Sequence, residues 1–276
     1  QITAVGYDAG GALTTGNYNT FIGNSAGSSI TTGVYNSTLG RHAMANNTGS
    51  YCTAIGAGTI NGSGAASSNV AVGFDALNSA TAADNNVCIG VEAGAYSTGI
   101  TTGERNNFVG NHTISASNSA NDQNVFGNNV TGIANSFTFG TSGADTTCTN
   151  GGTTWSAPSD RRMKEDIVTA TAGLSFINDL RPVTFKWKKE KDIPTTLNGY
   201  VKDSDKRYNT DTTQHGFIAQ EVKTAIDAHS ELKDGFDMWK ADARDGRQRV
   251  AEGALIPILV KAIQELSAKI TALEGK

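Results

Sequence analysis

More than half of this 276-residue chain lacks two residue types: no proline occurs before Pro158 and no lysine before Lys164. With a net charge of -4, the chain has no basic footprint, which argues against nucleic acid as a partner. Long apolar runs are also missing. Nothing approaches the roughly 18 residues a membrane span needs, so no membrane insertion is expected. The opening stretch QITAVGYDAGG has neither a basic region nor an apolar core and reads as no secretion signal. Cysteine is scarce: Cys52, Cys88 and Cys148 lie far apart with no CxxC. They read as small buried hydrophobes, with no metal site and no cofactor implied.

What is present divides the chain in two. Residues 1–150 hold 23 of the 32 glycines and only two basic residues, Arg41 and Arg105, against seven acidic ones. Residues 151–276 hold the other 20 basic residues and all four prolines. The first part keeps itself soluble with Asn, Ser, Thr and Gly, the second with charge. We divide the chain into a β-repeat region at 1–145, a turn-rich linker at 146–158 and a second domain at 159–276.

The first region is periodic. Apolar-Gly pairs end at Gly6, Gly23, Gly40, Gly56, Gly73, Gly90, Gly110, Gly127 and Gly140, spaced 17, 17, 16, 17, 17, 20, 17 and 13 residues apart. A fixed period implies stacked units, and about seventeen residues suits one turn of a β-solenoid. Each unit predicts a short strand whose last apolar residue points inward: Val5, Ile22, Leu39, Ile55, Val72, Ile89, Val109, Phe126 and Phe139. The glycine allows a turn that a Cβ would hinder. An alanine three residues later, as in NSAG, RHAM, FDAL and VEAG, marks a close-packed corner. Asparagines precede many strands: Asn19, Asn36, Asn69, Asn86 and Asn107. One turn has too few large apolar groups to stand alone, so stacking and trimerisation must supply the rest. These repeats resemble the heads of trimeric adhesins and the shafts of phage tail fibres.

Candidate chemistry in the repeats is sparse. Asp75 and Glu92 occupy equivalent positions one turn apart, as a pair of glycosidase carboxylates could, but two exposed corner residues are the plainer reading. His42 shares their register, and both it and His112 read as surface polar groups. Tyr7, Tyr18, Tyr35, Tyr51 and Tyr96 sit in or near turns, where they could stack on sugar rings or pack neighbouring loops.

The second domain opens on SDRRMK and continues through LRPVTFKW, GFIAQEV and LIPILVKAIQEL. Helix is expected over 171–180, a half-buried strand at PVTFKWK, and a strand turning into a helix at HGFIAQEV. The last segment spaces Ile256, Leu259, Ile263, Leu266, Ile270 and Leu273 by 3, 4, 3, 4 and 3 residues, a heptad seam. Ile and Leu in that order favour two strands in isolated coiled coils. Residues 189–214 form a charged insertion, either an arm that grips the fibre during folding or a plain surface loop.

These four blocks, in this order, resemble the intramolecular chaperone domain of phage tailspikes and tail fibres, the peptidase S74 family. The resemblance implies a homotrimer. The C-terminal domain would template the preceding β-rich fibre and then cut itself off in a single turnover, with no multiple-turnover activity. It assigns Ser159 and Lys164 as a catalytic dyad and places the cut between Ser159 and Asp160. Arg161 and Arg162 could lower the lysine's proton affinity or neutralise Asp160. Taken alone, SDRRMK also reads as a helix cap followed by a solvated charge run. A serine attacking its own carbonyl would close a four-membered ring, which leaves attack in trans or a water-mediated route.

The expected fold is therefore a mainly β, solenoid or triple-β repeat in a homotrimer, followed by an α+β chaperone domain ending in a long coiled-coil helix. The expected function is a virion tail-fibre segment that contacts other fibre segments and a bacterial surface receptor. A trimeric bacterial or prophage adhesin and a polysaccharide depolymerase fragment are the alternatives.

Overall fold

The computed structural model describes residues 1–275. It divides into two compact units, Gln1–Met163 and the remainder from Lys164.

In the first unit every repeat contributes one rung to a ten-stranded sheet whose strands follow chain order. The rungs are β1 (Ile2–Val5), β2 (Asn19–Ile22), β3 (Ser37–Leu39), β4 (Thr53–Ile55), β5 (Val70–Val72), β6 (Val87–Ile89), β7 (Asn107–Val109), β8 (Asn124–Asn128) and β9 (Ser136–Thr141). They pair in parallel and in register, so Ile22 lies beside Leu39, Leu39 beside Ile55 and Ile55 beside Val72. The stack ends where β10 (Ala144–Thr149) turns back antiparallel on β9. The segment expected to be a linker therefore begins inside this hairpin. Trp155 also belongs to the unit, with its ring edge-on to Phe137 and Phe139 at 5.8 and 5.4 Å.

The direction of the strand side chains corrects the expectation. The residue before each glycine faces outward: Val5, Ile22, Leu39, Ile55, Ile89 and Phe139 are 36% to 58% exposed, and Val72, Val109 and Phe126 are half-buried. The middle residue faces in, and Phe21, Ala54, Ala71, Cys88, Phe108 and Val125 are fully buried. Alternation along a strand allows only one of the two neighbours inside. The middle position wins because the turn after the glycine brings the corner onto that face.

The core then fills by exchange of volume within each turn. Six residues after the inward strand position lies a corner residue with left-handed backbone. The pairs are Phe21 with Gly27, Ala54 with Ile60, Ala71 with Leu77 and Cys88 with Gly94. In the first three a large residue at one place accompanies a small one at the other; at Cys88 and Gly94, both small, the Phe108 ring of the next turn comes within 3.3 Å of a Cβ placed at Gly94. At Gly27 a Cβ would lie 2.4 Å from the Phe21 ring. Left-handed backbone costs a bulky residue ~1–2 kcal/mol. Ile60 and Leu77 accept it because their side chains fill the space that Phe21 fills in its own turn. The corner alanines behave as expected: Ala26, Ala43, Ala76 and Ala93 are fully buried.

The asparagines form a buried ladder. The carboxamide oxygen of each rung accepts the backbone N–H of the next: Asn19 from Asn36 at 2.9 Å, Asn69 from Asn86 at 2.9 Å, Asn86 from Asn106 at 3.0 Å and Asn106 from Gln123 at 2.9 Å. Each amide also donates to a carbonyl across the coil, as Asn86 does to Gly103 at 2.9 Å. The member in the seventh rung is Asn106 rather than Asn107. Asn107 instead faces outward, half-buried, and bonds Asn124 at 2.8 Å. An Asn86→Ala chain is expected to lose about 2–4 kcal/mol in urea unfolding, because several buried partners are orphaned together. Asn107→Ala should lose less than about 1 kcal/mol. Equal losses would count against the ladder.

The second unit is α+β. Helix α1 (Leu174–Asp179) precedes β11 (Val183–Phe185), which pairs antiparallel with β12 (Gln214–Gly216). Helix α2 (Ala219–Ala228) follows, then a hairpin of β13 (Trp239–Ala241) and β14 (Gln248–Val250), and the long helix α3 (Ile256–Glu274). Phe176, Val222, Ala225, Ile226, Met238, Leu255 and Ile258 share its core. Residues 189–214 fold back on this unit. Lys189 bridges Arg207, Lys189 and Lys191 both pair with Asp205, and Tyr208 packs on Trp187.

Candidate cleavage turn and assembly helix

The candidate cleavage segment is a short turn at the end of the first unit, exposed throughout. Arg161–Met163 form one turn of 3-10 helix. Its cap is Asp160: the carboxylate accepts the Arg162 backbone N–H at 2.9 Å, and the Asp160 carbonyl accepts that of Met163 at 3.1 Å. The Arg162 guanidinium lies on the same carboxylate at 2.6 Å and, with the backbone bond, holds Asp160 below the usual carboxylate range. Of the two arginines proposed as supports, Arg162 is thus the one that neutralises Asp160. The cap expected of SDRRMK is present, and Asp160 supplies it. Ser159 and Lys164, bracketing the turn in sequence, are exposed.

Helix α3 carries the seam. Pro257 sits in its first turn, where a missing N–H costs nothing. One face packs into its own domain through Ile258 and Ala262, which are 6% and 4% exposed. Glu265, on the same side, accepts the Leu174 backbone N–H at the start of α1 at 3.0 Å. The seam runs along a neighbouring face, roughly 100° round the helix: Ile256, Leu259, Ile263, Leu266, Ile270 and Leu273 are 41% to 71% exposed. Such a stripe on a lone helix leaves a large apolar area in water.

The elements that hold α3 are tied by charge. Arg181 pairs with Glu221 between the α1 end and α2. His229, after α2, holds Asp179 at 2.8 Å and Glu231 at 3.2 Å, and the two carboxylates raise its pKa above the usual imidazole value, the Asp179 bond most of all.

The repeat-region candidates separate. His42, Asp75, Glu92 and His112 occupy one column of corner positions with left-handed backbone. Glu92 faces His112 of the next turn at 4.0 Å, and Tyr96 stacks on the same imidazole at 4.3 Å. Tyr18, Tyr35 and Tyr51 form a near-parallel stack with centroids 4.8 and 5.4 Å apart. Each shares a ring face with its neighbour, as in the loop-packing reading, yet all three remain 52% to 59% exposed. The three cysteines are free and buried, and burial pushes the Cys52 thiol up to about 11.

Residues 159–231 match the family model described as chaperone of endosialidase, peptidase S74. Residues 159–231 are therefore similar to a chaperone domain of this type, and the family supports a role in the folding and trimerisation of tail-fibre-like proteins. The match begins at Ser159, the first residue of SDRRMK. It stops before β13, so the hairpin and α3 lie beyond the matched residues. No curated protein and no solved structure matches the chain.

Sequence reasoning missed the outward column, the volume exchange and Asp160 as the cap. The exchange was visible as a large-small alternation six residues apart. The cap was visible too, since aspartate caps as well as serine does.

Proposed function

We propose that this chain is a segment of a phage tail fibre. Its C-terminal domain would drive homotrimerisation and folding of the β-repeat, then leave by hydrolysis of the Ser159–Asp160 bond. That step consumes one water and yields a Ser159 carboxylate and an Asp160 amine. In trans, the Ser159 hydroxyl of one copy attacks the Ser159 carbonyl of a neighbour, Lys164 takes the hydroxyl proton and passes it to the leaving Asp160 amine, and water then hydrolyses the resulting ester. A lysine serves as base when shielded from water. Lys164 is exposed in the single chain, so the shielding would come from neighbouring copies, and cutting would follow assembly. The fibre would then remain in the virion, joined to other fibre segments, with the repeat region available to a bacterial surface receptor.

The observation that carries this reading is the uncovered seam of α3, whose residues are 41% to 71% exposed. The order of events has a physical reason. Parallel β stacking among separate chains is slow and prone to aggregation, whereas a helical seed forms quickly and concentrates the strands. Removing the seed makes the fibre kinetically trapped.

Placing Ile263→Glu and Leu266→Glu together in the full chain puts like charges at the seam. In sedimentation the native mass should fall from three chains to one, with roughly tenfold less folded, protease-resistant repeat region. A double variant that stays trimeric and folds normally would sink the reading.

A further inference from the structure

Apart from Phe126 and Phe139, whose rings meet Phe137 and Trp155 at the end of the stack, the outward column of the repeat region is left open to solvent in the single chain. Val5, Ile22, Leu39, Ile55, Val72, Ile89, Val109, Phe126 and Phe139 stand one above another along the whole sheet. Phe74 and Val91, next to it, are 51% and 40% exposed and widen the stripe at its middle. Six of the nine column residues are 36% to 58% exposed, and a contiguous apolar stripe rimmed by polar residues marks an interaction surface.

We infer that this column is the face on which the repeat region packs against further copies of itself, side by side and parallel. The inference rests on the trimeric reading above and assigns it a second surface, separate from the α3 seam.

Three observations select this occupant. The first is pitch: the rungs repeat at the strand spacing of about 4.8 Å. A partner that meets every rung must repeat at the same pitch, and this chain does. The second is charge. The flanking positions Thr20, Ser37, Thr53, Val70, Val87, Asn107 and Asn124 are all uncharged. On the other flank, Tyr7, Asn24, Arg41, Ala57, Phe74, Val91 and Asn111 include a single charge. A face so poor in charge can meet its own copy without repulsion. The third is coverage along the whole stack. Here the corners cover the inner face alone.

The same geometry shows what the column cannot do. Its rungs are nearly alike, so sliding one copy by one rung preserves most of the apolar contact. Register must then be set elsewhere, and the heptad seam of α3 is a place with one preferred alignment. In this account the seam chooses the register and the column retains it after release.

The test uses the full chain carrying Ile55→Cys, with Asn46→Cys as control, since Asn46 is exposed but outside the column. Both are treated with a short bismaleimide and run on a denaturing gel, beside sedimentation of the same samples. The native cysteines are buried in both chains. Ile55→Cys should give at least tenfold more chain-to-chain product than Asn46→Cys in samples that sediment as trimers. Equal linking, or more at Asn46, in a trimeric sample overturns the column as the contact face. A monomeric wild-type chain overturns instead the trimeric reading on which the inference rests. Circular dichroism of both variants confirms that the sheet has formed.

Discussion

On a denaturing gel, freshly expressed wild-type chain is expected to run as two pieces, residues 1–159 and 160–276, while Ser159→Ala and Lys164→Ala each run as one. Intact mass should place the cut between Ser159 and Asp160. Loss of either member of a catalytic pair lowers the rate by about a thousandfold or more, because such groups act as a unit. Uncut chain should therefore dominate in both variants even after a day. The turn geometry makes the comparison clean. Its cap is on Asp160, through the 2.9 Å bond to Arg162, so removing the Ser159 hydroxyl does not remove the cap. A loss of cleavage in Ser159→Ala then reports chemistry rather than a melted turn. If all three chains stay whole yet assemble as trimers, the domain is an assembly module that does not cut, and the dyad assignment is wrong.

The second large effect lies in the repeat glycines. Gly73→Ala should destabilise the repeat region by about 3 kcal/mol or more, enough to lower its melting temperature by roughly 10 °C or to send the chain to inclusion bodies. Gly73 has φ +137°, a conformation L residues rarely adopt. A Cβ there would stand 2.2 Å from the carbonyl oxygen of Gly90 on the next rung, and that oxygen is backbone that cannot step aside. Gly143→Ala is the matched control, at φ +73° with no atom within 4 Å of the added carbon. It should lose only ~1 kcal/mol, the left-handed penalty alone. Similar melting curves for the two variants would mean that the rungs do not stack as closely as Gly73 and Gly90 require.

Much of this architecture could be read along the chain. The glycines had to be glycine because rung stacks directly on rung, and their spacing gave the turn length. The corner alanines were legible because only a small residue recurs there. SDRRMK marked the start of the chaperone domain, and the heptad marked the seam. Other features were less open to inspection. Both the middle and the last residue of each strand are apolar, as in Phe21-Ile22 and Cys88-Ile89, so alternation could not say which faced the core. Size misled, since Ile55 is larger than the buried Ala54 and yet lies outside. The asparagines looked like turn residues, and only the stacking turned their amides into a buried ladder.

By itself, then, the sequence determined the period, the positions where a Cβ is forbidden, the motif at Ser159 where the family match begins and the stripe along the final helix. Each of these follows from local chain geometry or from a residue's own shape. The tertiary structure alone decided which strand face is inside and that the asparagine amides form a buried ladder. Those choices depend on which atoms are brought together by the coil and the fold, and the same residues in an extended chain have no inside to prefer.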